Sequence, residues 1–550
     1  MRADQVEELI VGTSAHGDSG GQGAAMDAIA MHGGQGRRAA RGGRAGNRRR
    51  GGGAIAQMPW QIPVNSDRPT EPLPAEGVEA IHQGAMRILE EIGVVFLNHE
   101  AVDIFRAQGC LIDGETTSGA RVRFGRDYIM EMVARAPGAF TITPRNASRA
   151  VPIGGEHMVF LNIASPPNCS DLDRGRRPGD RASFKELVKL TQAFNCLHVS
   201  GGYPVEPIDL HPSIRHLDCL FDTLTLTDKV VHAYALGTER VEDAMEMVRI
   251  AGALTHEQFD AAPRMFTNIN STSPLKHDWP MIDGLMRLAR RGQPVIVTPF
   301  TLAGAMSPIT LAGTVAQSLA ESLCAIALIQ TINPGCPCAI GTFSSNVDMR
   351  TGAPAFGTPD YLRTTQMTGQ MARFYCLPLR SSNTCVSNAP DNQATWESTN
   401  SLFAALSSGS HVVYHAAGWL EGGLCASYEK FVMDCEQLQQ LIAYMKPVTW
   451  SEDEIAFDAI AEVGHSGHFF GIQHTQDRYE TAFYSPFLSD WSNYENWRDR
   501  GAIQTPERAN RIWKQILAEF EPPPMDAAIA EELEDFVARR KREGGAPTDF

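Results

Sequence analysis

PVIVTPF, residues 294–300, is a short apolar run rich in β-branched residues, and a second such run, PCAIGTF, follows at 337–343. Between them residues 309–331 place Leu311, Val315, Leu319 and Leu323 on one helical face. A run that is apolar throughout suits a strand buried on both faces, and two such strands joined by a helix pair in parallel through a right-handed crossover. The same unit recurs in both directions along the chain. MVFLNI (158–163), LHVSGG (197–202), VVHAYALG (230–237) and RMFTNIN (264–270) precede it, and LPLRSS (377–382) and HVVYHAAG (411–418) follow, each leading into a helical pattern such as 361–374. Eight strand and helix units are the number that closes a TIM (β/α)8 barrel, so the predicted fold is an α/β barrel over 155–445.

The flanking segments differ in kind. GRRAARGGRAGNRRR, residues 36–50, carries seven Arg among small and polar residues, and the Gly-rich stretch before it is equally poor in apolar side chains. Such a composition cannot bury enough apolar area to order itself, so 1–56 is expected to be a disordered tail. Helical spacing from Glu76 and a strand, helix and strand pattern after it predict a small α/β cap over 57–154. Residues 446–550 read as a helical extension ending in the amphipathic DAAIAEELEDFVARRKRE.

The 550 residues carry 48 Lys and Arg against 64 Asp and Glu, a net charge of −16. That balance argues against nucleic acid or an anionic membrane as the partner of the folded part. No apolar run approaches the ~18 residues of a membrane span. The 11 Cys include no C-x-x-C pair, which predicts reduced thiols and a cytoplasmic protein.

In a barrel of this type the site lies beyond the carboxyl ends of the strands. The residues there are aromatic and amide-rich with few acids: Tyr203 and Glu206, Asn270, Phe300, Phe343 and Asp348, Arg380, Asn383 and Thr384, then Tyr414, His415, Trp419 and Glu421. No His pair has zinc-ligand spacing; His411 and His415 stand at i and i+4 of a strand, on one face but ~13 Å apart, so no metal is expected. A P-loop and a first-strand G-x-G-x-x-G are both absent. Aromatic faces attract a quaternary ammonium at ~1 to 2 kcal/mol per desolvated ring. Phe300, Phe343, Tyr203 and Trp419 are candidates for such a box, with Glu421 or Glu206 as counter-charge. The competing reading makes them core filler.

Six motifs then occur in order: NSTSPL (270–275), AMSPITLAGT (305–314), VDMRTGAPAFGTPD (347–360), RFYCLP (373–378), PDNQATWE (390–397) and GWLEGGLCASYEKFVMD (418–434). Through them the chain resembles the trimethylamine methyltransferase family, over roughly residues 76–526. The resemblance implies a TIM barrel that passes a methyl group from an amine to a corrinoid held by a separate protein, since no D-x-H-x-x-G corrinoid run is found here. It also puts Thr384 where the trimethylamine enzymes carry pyrrolysine. Threonine cannot form the amine adduct proposed for pyrrolysine, and the members without it are associated with betaines.

A quaternary amine leaves as a neutral amine and needs no such adduct, so glycine betaine or a related betaine is the expected substrate. Thr384, Asn383 and Glu421 are then the candidate catalytic residues. Arg380, Trp419, Phe343, Phe300, Tyr203, Asn270, His415 and Asp348 are the candidate substrate contacts. Arg380 would clamp the carboxylate, unless it pairs with Asp391 or Asp348 for structure. The alternatives are a methylamine methyltransferase, a barrel lyase or hydrolase using Cys385, and a non-catalytic betaine binder. A corrinoid protein and further copies of the chain are the expected partners.

Overall fold

The computed structural model describes residues 55–548; the tail read over 1–56 lies outside them except for its last two residues. The eight strands are β1 (Val159–Asn162), β2 (Val199–Ser200), β3 (Val230–Val231), β4 (Thr267–Ile269), β5 (Val295–Val297), β6 (Cys338–Gly341), β7 (Leu379–Ser382) and β8 (Val412–Ala417). Each is followed by a helix: α1 (Arg181–Ala193), α2 (Arg215–Leu226), α3 (Thr238–Ala251), α4 (Trp279–Arg290), α5 (Leu311–Ile332), α6 (Pro359–Phe374), α7 (Asn392–Ser408) and α8 (Tyr428–Tyr444). All pairings in this sheet are parallel, and the strand order is β3, β2, β1, β8, β7, β6, β5, β4.

The sheet is TIM-barrel-like, with one departure from the expected closed ring. Its two ends, β3 and β4, meet at a single bridged pair, His232 and Phe266, instead of a ladder. The reason is local: side chains replace part of the backbone pairing there. The Asn268 amide donates to Nε2 of His232 at 3.1 Å, and Oγ1 of Thr267 donates to the Ala233 carbonyl at 2.7 Å. The interior is filled by Val159, Leu161, Val199, Val230, Phe266, Ile296, Ala339, Val412 and Tyr414. Ile142, Val151 and Ile153, from the antiparallel hairpin Ala139–Ile142 and Val151–Gly154, join this core and plug its amino-terminal end.

The cap packs on α5. Helices Ala75–Arg87 and Arg126–Val133 lie on its outer side, and strand Val94–Phe96 pairs in parallel with Lys276–His277 of the loop after β4. Covered on both sides, α5 is buried almost all round. Among the described residues it is the one helix long and apolar enough to cross a bilayer, which the sequence reading missed because Gln317, Glu321 and Ser322 interrupt the run. Its buried Glu321 accepts hydrogen bonds from Ser271, from Ser273 at 2.6 Å and from the Leu275 amide at 2.8 Å, so the NSTSPL motif is a loop gripped by one carboxylate.

Beyond α8 the chain runs through short helical turns to helix Thr505–Ala518, which packs on α8 and α1. The last helix, Ala527–Arg542, packs on α2 and α3, with Arg540 paired to Asp243 and Lys541 to Asp218.

Candidate active site

Pairing register decides which side chains enter the mouth. Val412 and Tyr414 face the barrel interior, and in β7 Arg380 stands beside Val412 and Ser382 beside Tyr414, so Arg380 and Ser382 face inward too. Strict alternation would turn His415 outward with His411. The ladder between β8 and β1 instead shifts register between Val413 and Ala417, and His415 adopts φ 55°. This bulge re-aims the imidazole into the mouth, where it meets Arg380. The two histidines of HVVYH therefore do not share a face as the sequence spacing predicts.

Arg380 is 3% exposed and has no carboxylate within ion-pair distance among the described residues. Its guanidinium lies 4.3 Å over the Tyr414 ring and 5.4 Å from the Phe343 ring. It donates to the Thr342 carbonyl at 3.3 Å and approaches Nε2 of His415 at 3.4 Å, while Nε has no partner in the chain. Asp391 caps α7 and Asp348 closes an exposed turn with Thr351, so neither neutralises Arg380. Burial alone pulls the guanidinium down to about 10. His415, desolvated and beside that cation, stays far below the ordinary imidazole value, and His232 falls to about 3 for the same two reasons. Both are neutral at pH 7. Nε2 of His415 can then accept from Arg380, which leaves the proton on Nδ1.

Several buried polar atoms at these strand ends lack a partner within the chain: the hydroxyls of Ser382, Thr342, Ser200 and Tyr414, and Nδ1 of His415 and His232. Around them runs a chain of rings. Phe300 and Phe343 are 5.1 Å apart, Phe343 and Trp419 6.0 Å, Trp419 and His415 4.4 Å, and His415 and Tyr414 5.7 Å. Tyr414 leads on to His232 at 5.7 Å, Tyr234 lies 5.0 Å from His232, and Tyr203 lies 4.8 Å from Tyr234. The arrangement is a desolvated cation and a set of neutral donors enclosed by aromatic faces. Chemically it suits a small ligand with a carboxylate at one end and an apolar or cationic group at the other.

The remaining predicted residues stand elsewhere. Oγ1 of Thr384, wholly buried, lies 3.5 Å from Ser401 of α7, behind the strand. Asn383 donates to the Ala416 carbonyl at 3.1 Å. Glu421 sits at φ 55° and is held by Arg176 at 2.9 Å, and Glu206 pairs with Arg215. Asn270 donates to the Thr298 carbonyl at 2.8 Å, at the end of β4 but turned along the rim. Asp348 is outside the mouth. Cys385 is fully buried against the Trp419 carbonyl at 3.0 Å, and burial pushes its thiol up to about 12, so it offers no thiolate. The sequence reading missed His232, although the alternation in VVHAYALG points it inward with Val230.

The family described as trimethylamine methyltransferase (MTTB) matches residues 39–545. The chain is 38% identical over 474 residues to the glycine betaine methyltransferase of Desulfitobacterium hafniense strain Y51, covering 86% of this chain and 98% of that one. It is 28% identical over 404 residues to the proline betaine:corrinoid methyltransferase of Eubacterium limosum, with 71% and 81% covered. Against the trimethylamine methyltransferase MttB of Desulfitobacterium hafniense strain DSM 10664 / DCB-2 the identity is 27% over 478 residues, with 86% and 94% covered. With a match that spans nearly the whole chain, and relatives covered almost end to end, the protein belongs to the trimethylamine methyltransferase (MTTB) family.

Proposed function

We propose that this protein is a methyltransferase that takes a methyl group from a quaternary amine bearing a carboxylate, glycine betaine first, and passes it to the Co(I) of a corrinoid carried by a separate protein. The observation that supports it is Arg380, a buried guanidinium with no acidic partner inside a ring of aromatic faces. A desolvated cation of this kind is costly until an anion joins it. The substrate carboxylate supplies that anion, with Tyr414, Ser382 and Thr342 as further donors. Trp419, Phe343, Phe300 and Tyr203 face the trimethylammonium end.

The chemistry then follows from charge. When a methyl group leaves a quaternary nitrogen, the electron pair of the broken bond stays on nitrogen and the product is a neutral tertiary amine. No general acid is required, and the neutral histidines of the mouth are consistent with that. The task left to the protein is to hold one N-methyl bond in line with the nucleophile in a dry site. We read the curled sheet as working as a closed (β/α)8 barrel, which places the reacting methyl at its open mouth. Thr384 and Asn383 act from behind β7 as positioning residues, and Glu421 orders the Trp419 loop through Arg176.

The same site disfavours cations without a carboxylate. A trimethylammonium group ~5 Å from the guanidinium is repelled by about 3 kcal/mol at an effective dielectric of ~20, unless a carboxylate lies between them. The test mixes protein, cob(I)alamin and a panel of glycine betaine, proline betaine, carnitine, choline and trimethylamine, and follows methylcobalamin by its absorbance. Glycine betaine is expected to exceed choline and trimethylamine by at least 100-fold. Equal rates with choline, or no methylcobalamin from any betaine, would overturn the proposal.

A further inference from the structure

A cavity of about 150 Å³ adjoins the mouth between the sheet and helices α2 and α3, and Tyr203, Tyr234 and His232 belong to the walls of both. Its cause lies in the backbone. β2 and β3 pair over two residues only, Val199 with Val230 and Ser200 with Val231, and beyond them the chains part. Gly202, at φ 91°, makes the turn, and a Cβ there would stand 2.8 Å from both Nδ1 of His232 and Oη of Tyr234. The glycine leaves those two polar atoms uncovered. Leu220 and Thr223 of α2 and Ala244 of α3 close the outer side.

Mouth and cavity differ in charge. The mouth offers Arg380, ring faces and neutral donors. The cavity wall carries one carboxylate, Glu206, together with Arg215 and Arg240. Glu206 is half-buried and paired with Arg215, which also donates to the Leu210 carbonyl at 3.0 Å, and Arg240 donates to the Leu236 carbonyl at 3.2 Å. Nδ1 of His232, a residue 6% exposed, has no partner within the chain. Because Nε2 accepts from the Asn268 amide, the neutral ring carries its proton on Nδ1. The cavity therefore joins an acceptor suited to an N–H cation with donors suited to a carboxylate.

We propose that this cavity is a binding site for the tertiary amino acid that the reaction leaves behind, an N,N-dialkylated glycine bearing a single N–H. The inference rests on the methyl transfer proposed above. When the N-methyl bond breaks, its electron pair stays on nitrogen, and the free amine then takes a proton from solvent. A quaternary nitrogen has no N–H and is satisfied by aromatic faces, whereas the protonated tertiary amine has one hydrogen bond to donate. The mouth has no carboxylate to receive it. Glu206 does receive it, and the carboxylate of the same molecule meets His232 and the two guanidiniums. Size agrees: a cavity of about 150 Å³ admits benzene, and dimethylated glycine has one heavy atom more. The corrinoid protein occupies the open end during transfer, so a recess in the side wall takes the amine out of its way.

Equilibrium dialysis of the full chain against isotopically labelled N,N-dimethylglycine, and separately against labelled glycine betaine, tests this in the wild type, Glu206→Gln, Ala244→Leu and Arg380→Met. The expected result is an equivalent of dimethylglycine that Glu206→Gln weakens at least tenfold, through the loss of a charge-assisted hydrogen bond, and that Arg380→Met leaves in place. Ala244→Leu fills the cavity from α3 without altering a charge. It should remove the same equivalent while changing the Kd of glycine betaine less than twofold, and it provides the comparison if Glu206→Gln does not fold. The absence of any equivalent with this pattern overturns the proposal. Glycine betaine filling the same site as tightly as dimethylglycine overturns it too, since the N–H would then play no part. A protein that shows the pattern yet forms no methylcobalamin would support the cavity as an ammonium carboxylate site and remove only the reaction.

Discussion

Replacing Arg380 with Met should make the ligand-free protein more stable while abolishing betaine binding. Burial lowers the guanidinium from its ordinary value to about 10 in the folded chain. For a base whose folded value lies below its unfolded one, the penalty of keeping it charged is fully present below pH 10. It fades as pH climbs from about 10 to the ordinary arginine value and is gone above that. At pH 7 the whole penalty applies, about 3 kcal/mol at ~1.4 kcal/mol for each tenfold step in proton affinity.

Methionine removes the buried charge and fills similar space, but it forfeits two long hydrogen bonds and the stacking on Tyr414. Those losses are worth about 1 to 2 kcal/mol together. The net expectation is a gain of about 1 to 2 kcal/mol, which raises Tm by ~1 to 2 °C in a chain of this length. Circular dichroism melts of both proteins, with and without glycine betaine, read the effect. Saturating betaine at ~100 Kd should stabilise the wild type by about 2.7 kcal/mol and leave the variant unmoved. A variant that melts lower than the wild type, or that keeps the betaine shift, would refute the claim that Arg380 is an unneutralised charge awaiting a carboxylate.

Three further outcomes follow from the same geometry. Trp419→Ala should raise the Kd for glycine betaine about tenfold by calorimetry, the loss of one desolvated cation and aromatic contact, while the circular dichroism spectrum is kept. Glu421→Gln should change that Kd less than twofold, because its carboxylate is already held by Arg176; a tenfold loss would return Glu421 to the ammonium. Cys385→Ala should retain methyl transfer, and iodoacetamide should label the exposed Cys376 and leave Cys385 untouched, since that thiol is buried and pushed up to about 12. Loss of activity in Cys385→Ala with the fold preserved would revive the nucleophile reading.

The eight strand and helix units of the curled sheet were legible because each strand is a short apolar run followed by a helical period, whereas its incomplete closure at β3 and β4 was not. Arg380 was legible for a related reason: a charged residue inside such a run has nowhere to go but the lumen or a special partner. What could not be read depends on contacts far apart in sequence. Glu421 is captured by an arginine on the loop after β1, Thr384 faces a helix that follows it, and neither partner has a fixed spacing. His411 and His415 do not share the face expected of them because a bulge changes the parity of a strand without changing its composition. The near-continuous burial of α5 depends on the cap and the barrel meeting across it.

That sandwiched helix bears on the order in which the chain is made. The cap precedes α5 in the sequence, so during synthesis its apolar cover has already emerged when residues 311–332 appear. A chain rearranged so that the barrel is translated before the cap would release a 22-residue apolar helix with no surface waiting for it. Such a permutant would contain the same final contacts, yet it would have to survive a period in which its most lipid-like segment is bare, and aggregation or capture by membrane-targeting factors would compete with folding.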